Sequence, residues 1–325
     1  MRNPSVPRTP YPVPRTPYPV LRTPYPVPRT SYSVLSPAQV SLVDHIHACN
    51  RWDPADFEPF VVGGERLGLV RRRFAKALTE GGGDFVRAED GLHWHAAPAD
   101  FDARTDAFAA RAADWDRRGL ISHRHGERYP VLNAAGDARF LMDRAVAPYF
   151  GIRAFGQHLN GYVRRDDGLH LWVGRRSQSR RVAPGKLDHM VAGGLPWGVS
   201  LADNLRKECW EEAALPAAIA DRARPVGIVA YCRDSDRGLK PDTIYCYDLE
   251  LPEDVRPRCN DDEVESFQLL PAAEVMRIVD TSDAFKLNCN LVIIDYLMRH
   301  GLIGPEHPDY LALAHGLRSV PAVAQ

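Results

Sequence analysis

GGLPWGVSLADNLRKECWEEAAL, residues 193–215, is the stretch that decides the fold of this 325-residue chain. We expect a helix after a Ser200 N-cap, and at about 100° per residue Glu208, Glu211 and Glu212 fall within a stripe roughly 100° wide. The neighbouring stripe is apolar and comprises Leu201, Leu205, Cys209 and Ala213. The three carboxylates therefore border the predicted buried face of the helix rather than its fully solvated side.

This placement of three carboxylates has an energetic cost. Glu208 and Glu212 are like charges at i,i+4, which destabilise a helix by about 0.2–0.5 kcal/mol, and the acids lie toward the unfavourable C-terminal end. A divalent cation offsets both costs, and carboxylate oxygens suit Mg²⁺ or Mn²⁺. A solvated acidic helix face is the competing interpretation. The loop at Gly193-Gly194 favours the metal site, because glycine lets the backbone approach a metal or a phosphate closely.

The same stretch resembles the Nudix box, which has a glycine, five residues, a glutamate, seven residues and then Arg-Glu-apolar-x-Glu-Glu-x-Gly-apolar. Lys207 stands here for the arginine, Ala214 for the second glycine and Val199 for the upstream glutamate. The resemblance implies an α/β/α sandwich with a mixed sheet, and a metal-dependent hydrolase that cuts a diphosphate linkage. It implies that the metal ligands are Gly193, Glu208, Glu211 and Glu212. It also implies catalytic roles for the three glutamates.

The wider chain resembles the Nudix branch linked to thiamine diphosphate, whose members include plant chloroplast Nudix proteins and the Nudix half of a fungal thiamine pyrophosphokinase fusion. The segments that carry this resemblance are residues 174–177, 184–194, 204–209 and 294–301. It implies hydrolysis of oxidised thiamine diphosphates to monophosphates. Two alternatives stay open: an ADP-ribose or dinucleotide-type pyrophosphatase that uses the same site, and a Nudix-fold binding module without turnover.

Further candidate residues lie on either side of the box. Arg175, Arg176 and Lys186 belong to a basic cluster that is suited to bind substrate phosphates, although a solvated loop explains the same residues. Glu263 lies in an acidic segment resembling the one where Nudix proteins hold a second metal or a general base. The alternative for Glu263 is a polar turn before a strand.

The chain divides into three predicted parts. Residues 1–36 repeat a Pro/Arg/Tyr motif with a period of seven, and this composition predicts a disordered tail that packs no core. A ligand for a partner protein and a start codon assigned too early are the alternatives. Residues 37–150 resemble the uncharacterised domain that precedes Nudix domains in the thiamine branch, and we expect a small α/β module there, with a helix over 67–78. We expect the Nudix domain over 151–318.

Composition sets broader limits on function. The formal net charge of −1 carries no global signature of nucleic-acid binding, and we expect no nucleic-acid partner. No apolar run is long enough for a membrane span, and the N-terminus shows no signal peptide. The six cysteines lack zinc-ligand spacing and indicate reduced thiols in a cytoplasmic protein. The resemblance to the Nudix box implies a small-molecule diphosphate as the partner. We further expect no membrane association, and a homodimer is the oligomer that we consider.

Overall fold

The computed structural model describes residues 40–80 and 83–319. The predicted disordered tail over residues 1–36 lies outside these residues. None of the helices within them is both long and apolar enough to cross a membrane. The six cysteines all lie within the described residues, and none forms a disulfide.

The N-terminal part contains a four-stranded sheet and a two-stranded hairpin. The sheet order is β2-β1-β4-β3, in which β1 and β4 are parallel and the other neighbours antiparallel, while β5 pairs with β6. The helix α3 covers a core rich in aromatic side chains, including Phe60, Trp94, Phe108 and Phe150. The elements are α1 (Leu42–Cys49), β1 (Phe57–Val62), β2 (Glu65–Arg71), α2 (Arg72–Thr79), β3 (Phe85–Ala88), β4 (Gly91–Trp94), α3 (Phe101–Arg117), β5 (Arg128–Leu132) and β6 (Ala138–Asp143).

The predicted helix over 67–78 is wrong in its first half. Strand β2 runs to Arg71, and helix α2 begins only at Arg72. The two-residue turn at Gly63-Gly64, with both φ angles positive, joins β1 to β2 as a hairpin and commits the following residues to pairing with β1. Strand β2 also packs closely against Phe150, because a Cβ added to Gly68 lies 2.3 Å from the Phe150 carbonyl oxygen.

The C-terminal part is built on a mixed sheet between two helical layers. The order is β11-β12-β7-β8-β13, with β12 and β7 parallel, while β10 pairs with β7 and β9 with β8. The elements are β7 (Ala154–Arg165), β8 (Gly168–Arg176), β9 (Leu187–Asp188), β10 (Val191–Gly194), α4 (Leu201–Ala213), α5 (Ala217–Ala220), β11 (Arg224–Ser235), β12 (Gly238–Glu250), β13 (Val264–Pro271), α6 (Ala272–Thr281), α7 (Leu287–Arg299) and α8 (Tyr310–Gly316).

Alternating residues of one strand supply both cores. Leu159 and Val163 of β7 pack with α4, whereas Tyr162 packs on the opposite side of the sheet with α7. The α/β/α sandwich with a mixed sheet is therefore confirmed.

The first helix belongs to the C-terminal core. Leu42, Ile46 and Cys49 of α1 pack in the same cluster as α6 and α7, and the His45 ring nitrogen Nε2 lies 2.7 Å from the Val279 carbonyl oxygen. The division of the chain near residue 150 stays a prediction. Helix α1 precedes this boundary in the chain but packs in the C-terminal core.

Candidate active site

The helix α4 has the start and the buried face that the sequence predicts. The Ser200 hydroxyl accepts a hydrogen bond from the Asp203 backbone N–H at 3.1 Å, which caps the helix. Leu205, Cys209 and Ala213 are buried against the sheet. Glu208 and Glu212, on the stripe next to this face, lie beside the glycine strand β10.

Glu208 lies directly over Gly193. A Cβ added to Gly193 lies only 2.2 Å from the Glu208 carboxyl carbon, so this position admits no side chain while Glu208 keeps its place. The Glu208 side chain is 12% exposed. Burial raises the pKa of its carboxyl above the ordinary value, and Lys207 and Arg144 oppose the rise. The Glu208 carboxylate, which is partly removed from water, thus lies against the backbone of strand β10 at Gly193.

Glu212 is the most deeply buried acid of the helix. Its side chain accepts a hydrogen bond from the Ala192 backbone N–H at 2.8 Å. Burial raises the pKa of Glu212 to about 8, and the neighbouring carboxylates of Asp188, Glu208 and Glu263 contribute to the increase. A buried acid with three acidic neighbours is electrostatically prepared for a cation.

Glu211 points elsewhere. It is about half exposed and forms an ion pair with Lys207 at 2.9 Å. Within residues 40–80 and 83–319, the His/Cys/Asp/Glu group whose ligand atoms all lie within 4.8 Å of one another is His158, His189 and Cys289. The three glutamates form no such group, so the predicted three-carboxylate cluster is not assembled in this conformation. The two glutamates that the structure brings to the glycine strand are Glu208 and Glu212.

Glu263 lies near the site. Its backbone carbonyl accepts a hydrogen bond from the Ser177 backbone N–H at 2.9 Å, and its carboxylate pairs with Arg180 at 2.7 Å. Because Glu263 contributes to the raised pKa of Glu212, the two carboxylates share one electrostatic environment. The predicted role of Glu263 as base or second metal ligand stays a prediction.

The three predicted phosphate-binding cations already have partners. Arg176 is buried, and its guanidinium pairs with Asp188 at 2.7 Å. Arg175 donates to the Gly185 carbonyl oxygen at 2.9 Å, and Lys186 pairs with Asp283 at 2.9 Å. These contacts fix the loop between β8 and β9, and they give Arg176 a structural role. Phosphate binding by Arg175, Arg176 and Lys186 stays a prediction.

Two residues that the sequence did not single out hold the glycine strand in place. Asn204 of α4 is fully buried and donates to the Gly194 carbonyl oxygen at 3.0 Å and to Gln157 at 2.7 Å. Gln157 in turn donates to the Leu201 carbonyl oxygen at 2.8 Å. The signal was present, because Asn204 is a polar residue four positions before Glu208 on the buried side of the helix.

The N-terminal part also reaches the glycine strand. A Cβ added to Gly194 lies 2.3 Å from the Tyr129 hydroxyl and 2.8 Å from the guanidinium carbon of Arg144. Arg144 pairs with Glu127 at 2.7 Å, and the Trp197 backbone N–H donates to the Arg128 carbonyl oxygen at 2.8 Å. Nothing in the sequence pattern indicated these contacts, which depend on how the β5–β6 hairpin packs.

Two family models match separate parts of the chain. A family model described as a NUDIX domain matches residues 159–290, and one described as a domain of unknown function, DUF4743, matches residues 41–154. Nudix hydrolase 20, chloroplastic, of Arabidopsis thaliana is 42% identical over 292 residues, which cover 85% of this chain and 77% of that protein. Nudix hydrolase 24, chloroplastic, of the same plant is 43% identical over 285 residues, with the same coverage of 85% and 77%.

Among solved structures, the NUDIX domain of Shewanella oneidensis NrtR complexed with ADP ribose is 14% identical, with a TM-score of 0.36, and covers 46% of this chain and 91% of that chain. The family assignment comes from the plant relatives, whose identity extends over more than two thirds of each protein. The resemblance of residues 193–215 to the Nudix box is thereby confirmed at the level of the family. The chain belongs to the Nudix hydrolases, enzymes that act on phosphorus-containing anhydrides.

Proposed function

We propose that the enzyme hydrolyses the diphosphate linkage of a small organic diphosphate with the help of Mg²⁺ or Mn²⁺. The observation that carries this proposal is the pair of acids at the glycine strand. Glu208 lies against Gly193, and Glu212 is anchored on the Ala192 N–H. Both carboxyls are largely desolvated, and burial raises the pKa of each. Such groups recover a large electrostatic cost when a cation binds between them.

The donor set fits a hard divalent cation. Carboxylate oxygens of Glu208 and Glu212, with the Gly193 backbone carbonyl, are the ligand types that Mg²⁺ and Mn²⁺ prefer. Glu211 stays a proposed third carboxylate ligand, and it has to leave Lys207 to take that role. When bound, the cation supplies stabilisation of negative charge on the phosphoryl oxygens.

The chain's own residues orient this site. Asn204 and Gln157 fix the Gly194 carbonyl and thereby the strand that carries Gly193. Lys207 sits beside Glu208 and Glu211 and limits the mutual repulsion of the acids. We propose Glu263 as the residue that accepts a proton from the attacking water, because its charge acts on Glu212 and its carboxylate pairs with Arg180 at 2.7 Å.

For the substrate we propose oxidised thiamine diphosphates, which are converted to monophosphates. Support comes from the resemblance of residues 174–177 and 184–194 to the thiamine-linked branch of the family. In this proposal Arg175, Arg176 and Lys186 shape the loop that faces the substrate. Arg175 is the member best suited to contact a phosphate, since it is only partly buried and holds a backbone carbonyl rather than a carboxylate.

The test is a substrate panel in Mg²⁺ that contains thiamine diphosphate, its oxy- and oxo-forms, ADP-ribose, NADH and nucleoside diphosphates. We expect the oxidised thiamine compounds to have the highest kcat/KM. Glu212→Gln should lose turnover, whereas Glu274→Gln, an equivalent change on the outer surface of α6, should keep it. Preference for ADP-ribose would refute the thiamine proposal alone. Absence of turnover on every compound, or equal rates in both variants, would refute the diphosphatase site.

A further inference from the structure

A cluster of soft metal ligands is buried on the face of the sheet opposite α4. His158 lies on β7, His189 lies in the link between β9 and β10, and Cys289 lies in the first turn of α7. Leu159, the neighbour of His158 on β7, packs with α4, so His158 points to the α7 side. The ligand atoms of the two histidines and the cysteine all lie within 4.8 Å of one another. Three elements that are distant in the chain therefore bring two imidazoles and a thiol together.

The spacing of these side chains is close to that around a bound metal ion. A metal that binds nitrogen at about 2.0 Å and sulfur at about 2.3 Å keeps its ligand atoms no more than about 4.3 Å apart. The Nδ1 atoms of His158 and His189 already lie 3.0 Å apart. Both histidines and Cys289 are at most 5% exposed, so their ligand atoms are shielded from bulk water. Only a small contraction closes the cluster around an ion.

Hydrogen bonding leaves the two histidines incompletely satisfied. The contact between their Nδ1 atoms holds one proton, because a donor and an acceptor must face each other there. The other ring nitrogen of His189, Nε2, is buried and has no hydrogen-bond partner in the part of the chain that the structure describes. Burial lowers the pKa of His158 and of His189, so both rings are neutral near pH 7. The neutral ring is the form in which histidine binds a metal.

One carboxylate and two cations border the cluster. The Asp188 carboxylate pairs with Arg176 at 2.7 Å and with Lys286 at 3.3 Å. It also accepts a hydrogen bond from the Cys289 thiol, with 2.7 Å between Oδ1 and Sγ. Since both cations contact this one carboxylate, Asp188 is already neutralised and does not offer its charge to a further ion.

The charges around the cluster therefore favour a monovalent metal over a divalent one. A second carboxylate, Asp248, also acts on His189, and it is paired with Arg299 at 2.5 Å and with His300 at 3.0 Å. A divalent ion bound to the Cys289 thiolate adds a positive charge to this buried region, which is costly. A monovalent ion adds none, because its charge and that of the thiolate cancel.

The donor set agrees with this charge argument. Thiolate is a soft ligand that selects copper(I) or zinc, and imidazole suits both copper and zinc. Structural zinc takes four protein ligands, whereas the cluster offers three. Two imidazoles and one thiolate in a trigonal arrangement are typical of copper sites.

We propose that His158, His189 and Cys289 form a binding site for one Cu⁺ ion. The ion replaces the thiol proton of Cys289, which leaves to solvent, and no electron is transferred. The site does not depend on the proposed diphosphatase function. In the register of β10 with β7, His158 lies opposite Ala192, whose N–H binds Glu212. Bound Cu⁺ therefore joins α7 to the strand beside which the acids of the active site lie.

The test measures copper retained by the full chain after growth in copper-supplemented medium, anaerobic purification and a challenge with the Cu⁺ chelator bicinchoninate. Cys289→Ser keeps a hydroxyl that donates to Asp188 but loses the soft ligand. Cys259→Ser removes an exposed thiol and is the matched control. We expect wild type and Cys259→Ser to retain one Cu⁺ per chain, and Cys289→Ser to bind Cu⁺ at least about tenfold more weakly.

Thermal unfolding separates metal binding from a purely structural hydrogen-bond network. Cu⁺ should raise Tm of wild type and Cys259→Ser by about 5 °C or more and leave Tm of Cys289→Ser unchanged. Because serine keeps the contact with Asp188, the metal-free forms of all three proteins should have similar Tm. If metal-free Cys289→Ser unfolds at a much lower temperature, His189→Asn replaces it, with the same loss of copper expected.

Three results would overturn the site. The first is equal copper retention by wild type and Cys289→Ser. The second is a copper X-ray absorption spectrum of the wild type that shows nitrogen ligands and no sulfur. The third is retention of Zn²⁺ in preference to Cu⁺ when both metals are supplied, which would refute the assignment of a monovalent ion.

Discussion

The buried Glu212 carboxyl should make the stability of the metal-free enzyme fall as pH rises, and Glu212→Gln should remove this dependence. The folded state holds the proton of Glu212 up to about pH 8, whereas the ordinary pKa of a glutamate is 4.5. Between these values the folded state binds more protons than the unfolded state. Stability contributed by this group is therefore present at low pH and is lost as pH rises toward 8.

The size of the effect follows from the difference between the two pKa values. Each pKa unit corresponds to about 1.36 kcal/mol. A carboxyl whose pKa rises from 4.5 to about 8 on folding therefore loses about 4 kcal/mol of unfolding free energy between pH 5 and pH 8.5. Glutamine keeps an oxygen that accepts the Ala192 N–H but has no proton to lose, so this pH-dependent term vanishes.

The assay is urea unfolding in EDTA at a series of pH values, for wild type, Glu212→Gln and Glu211→Gln. Glu211 is half exposed and paired with Lys207, so its variant should keep the wild-type pH dependence. The wild type should lose about 4 kcal/mol more than Glu212→Gln across this range. Parallel curves for wild type and Glu212→Gln would show that burial does not hold the proton on Glu212.

Three further substitutions test the end of α4, the contact of Glu208 with Gly193 and the Asn204 hydrogen bond. Ala214 ends α4 with a φ of 53°, in the left-handed region, so Ala214→Gly should raise the free energy of unfolding by about 1 kcal/mol in urea titrations, with unchanged activity. Gly193→Ala should displace Glu208 and lower kcat about 100-fold, while the far-ultraviolet circular dichroism spectrum stays that of the wild type. Asn204→Ala leaves the buried Gly194 carbonyl without its donor, and should lower the free energy of unfolding by about 1–3 kcal/mol and reduce kcat.

The helix that carries the acids was predictable from its sequence because its signals are local. The Ser200 N-cap, the apolar stripe and the spacing of Glu208 and Glu212 all lie within a few helical turns, and they are confirmed. The position of the acids at the edge of the buried face also follows from the helical periodicity of about 100° per residue alone.

The rest of the candidate site depends on contacts between residues far apart in the chain. Tyr129 and Arg144 reach Gly194 only because the β5–β6 hairpin packs beside the glycine strand. Glu211 is a different case. The helical periodicity placed it on the same stripe as the other two glutamates, but it did not predict the ion pair of Glu211 with Lys207. The helix expected over 67–78 failed because the Gly63-Gly64 turn pairs β2 with β1.

Some expectations from the sequence stay predictions. These are the cytoplasmic location, the homodimer and the absence of a nucleic-acid partner. Size-exclusion chromatography with light scattering measures the oligomeric state directly.

We propose that Glu208 and Glu212 hold the cation on which hydrolysis depends. Electron paramagnetic resonance of Mn²⁺ measures it directly, because bound and free Mn²⁺ are distinguished without any turnover. Wild type and Glu274→Gln should bind Mn²⁺ with equal affinity, and Glu212→Gln should bind it at least about tenfold more weakly. Equal Mn²⁺ affinity in wild type and Glu212→Gln would contradict the claim.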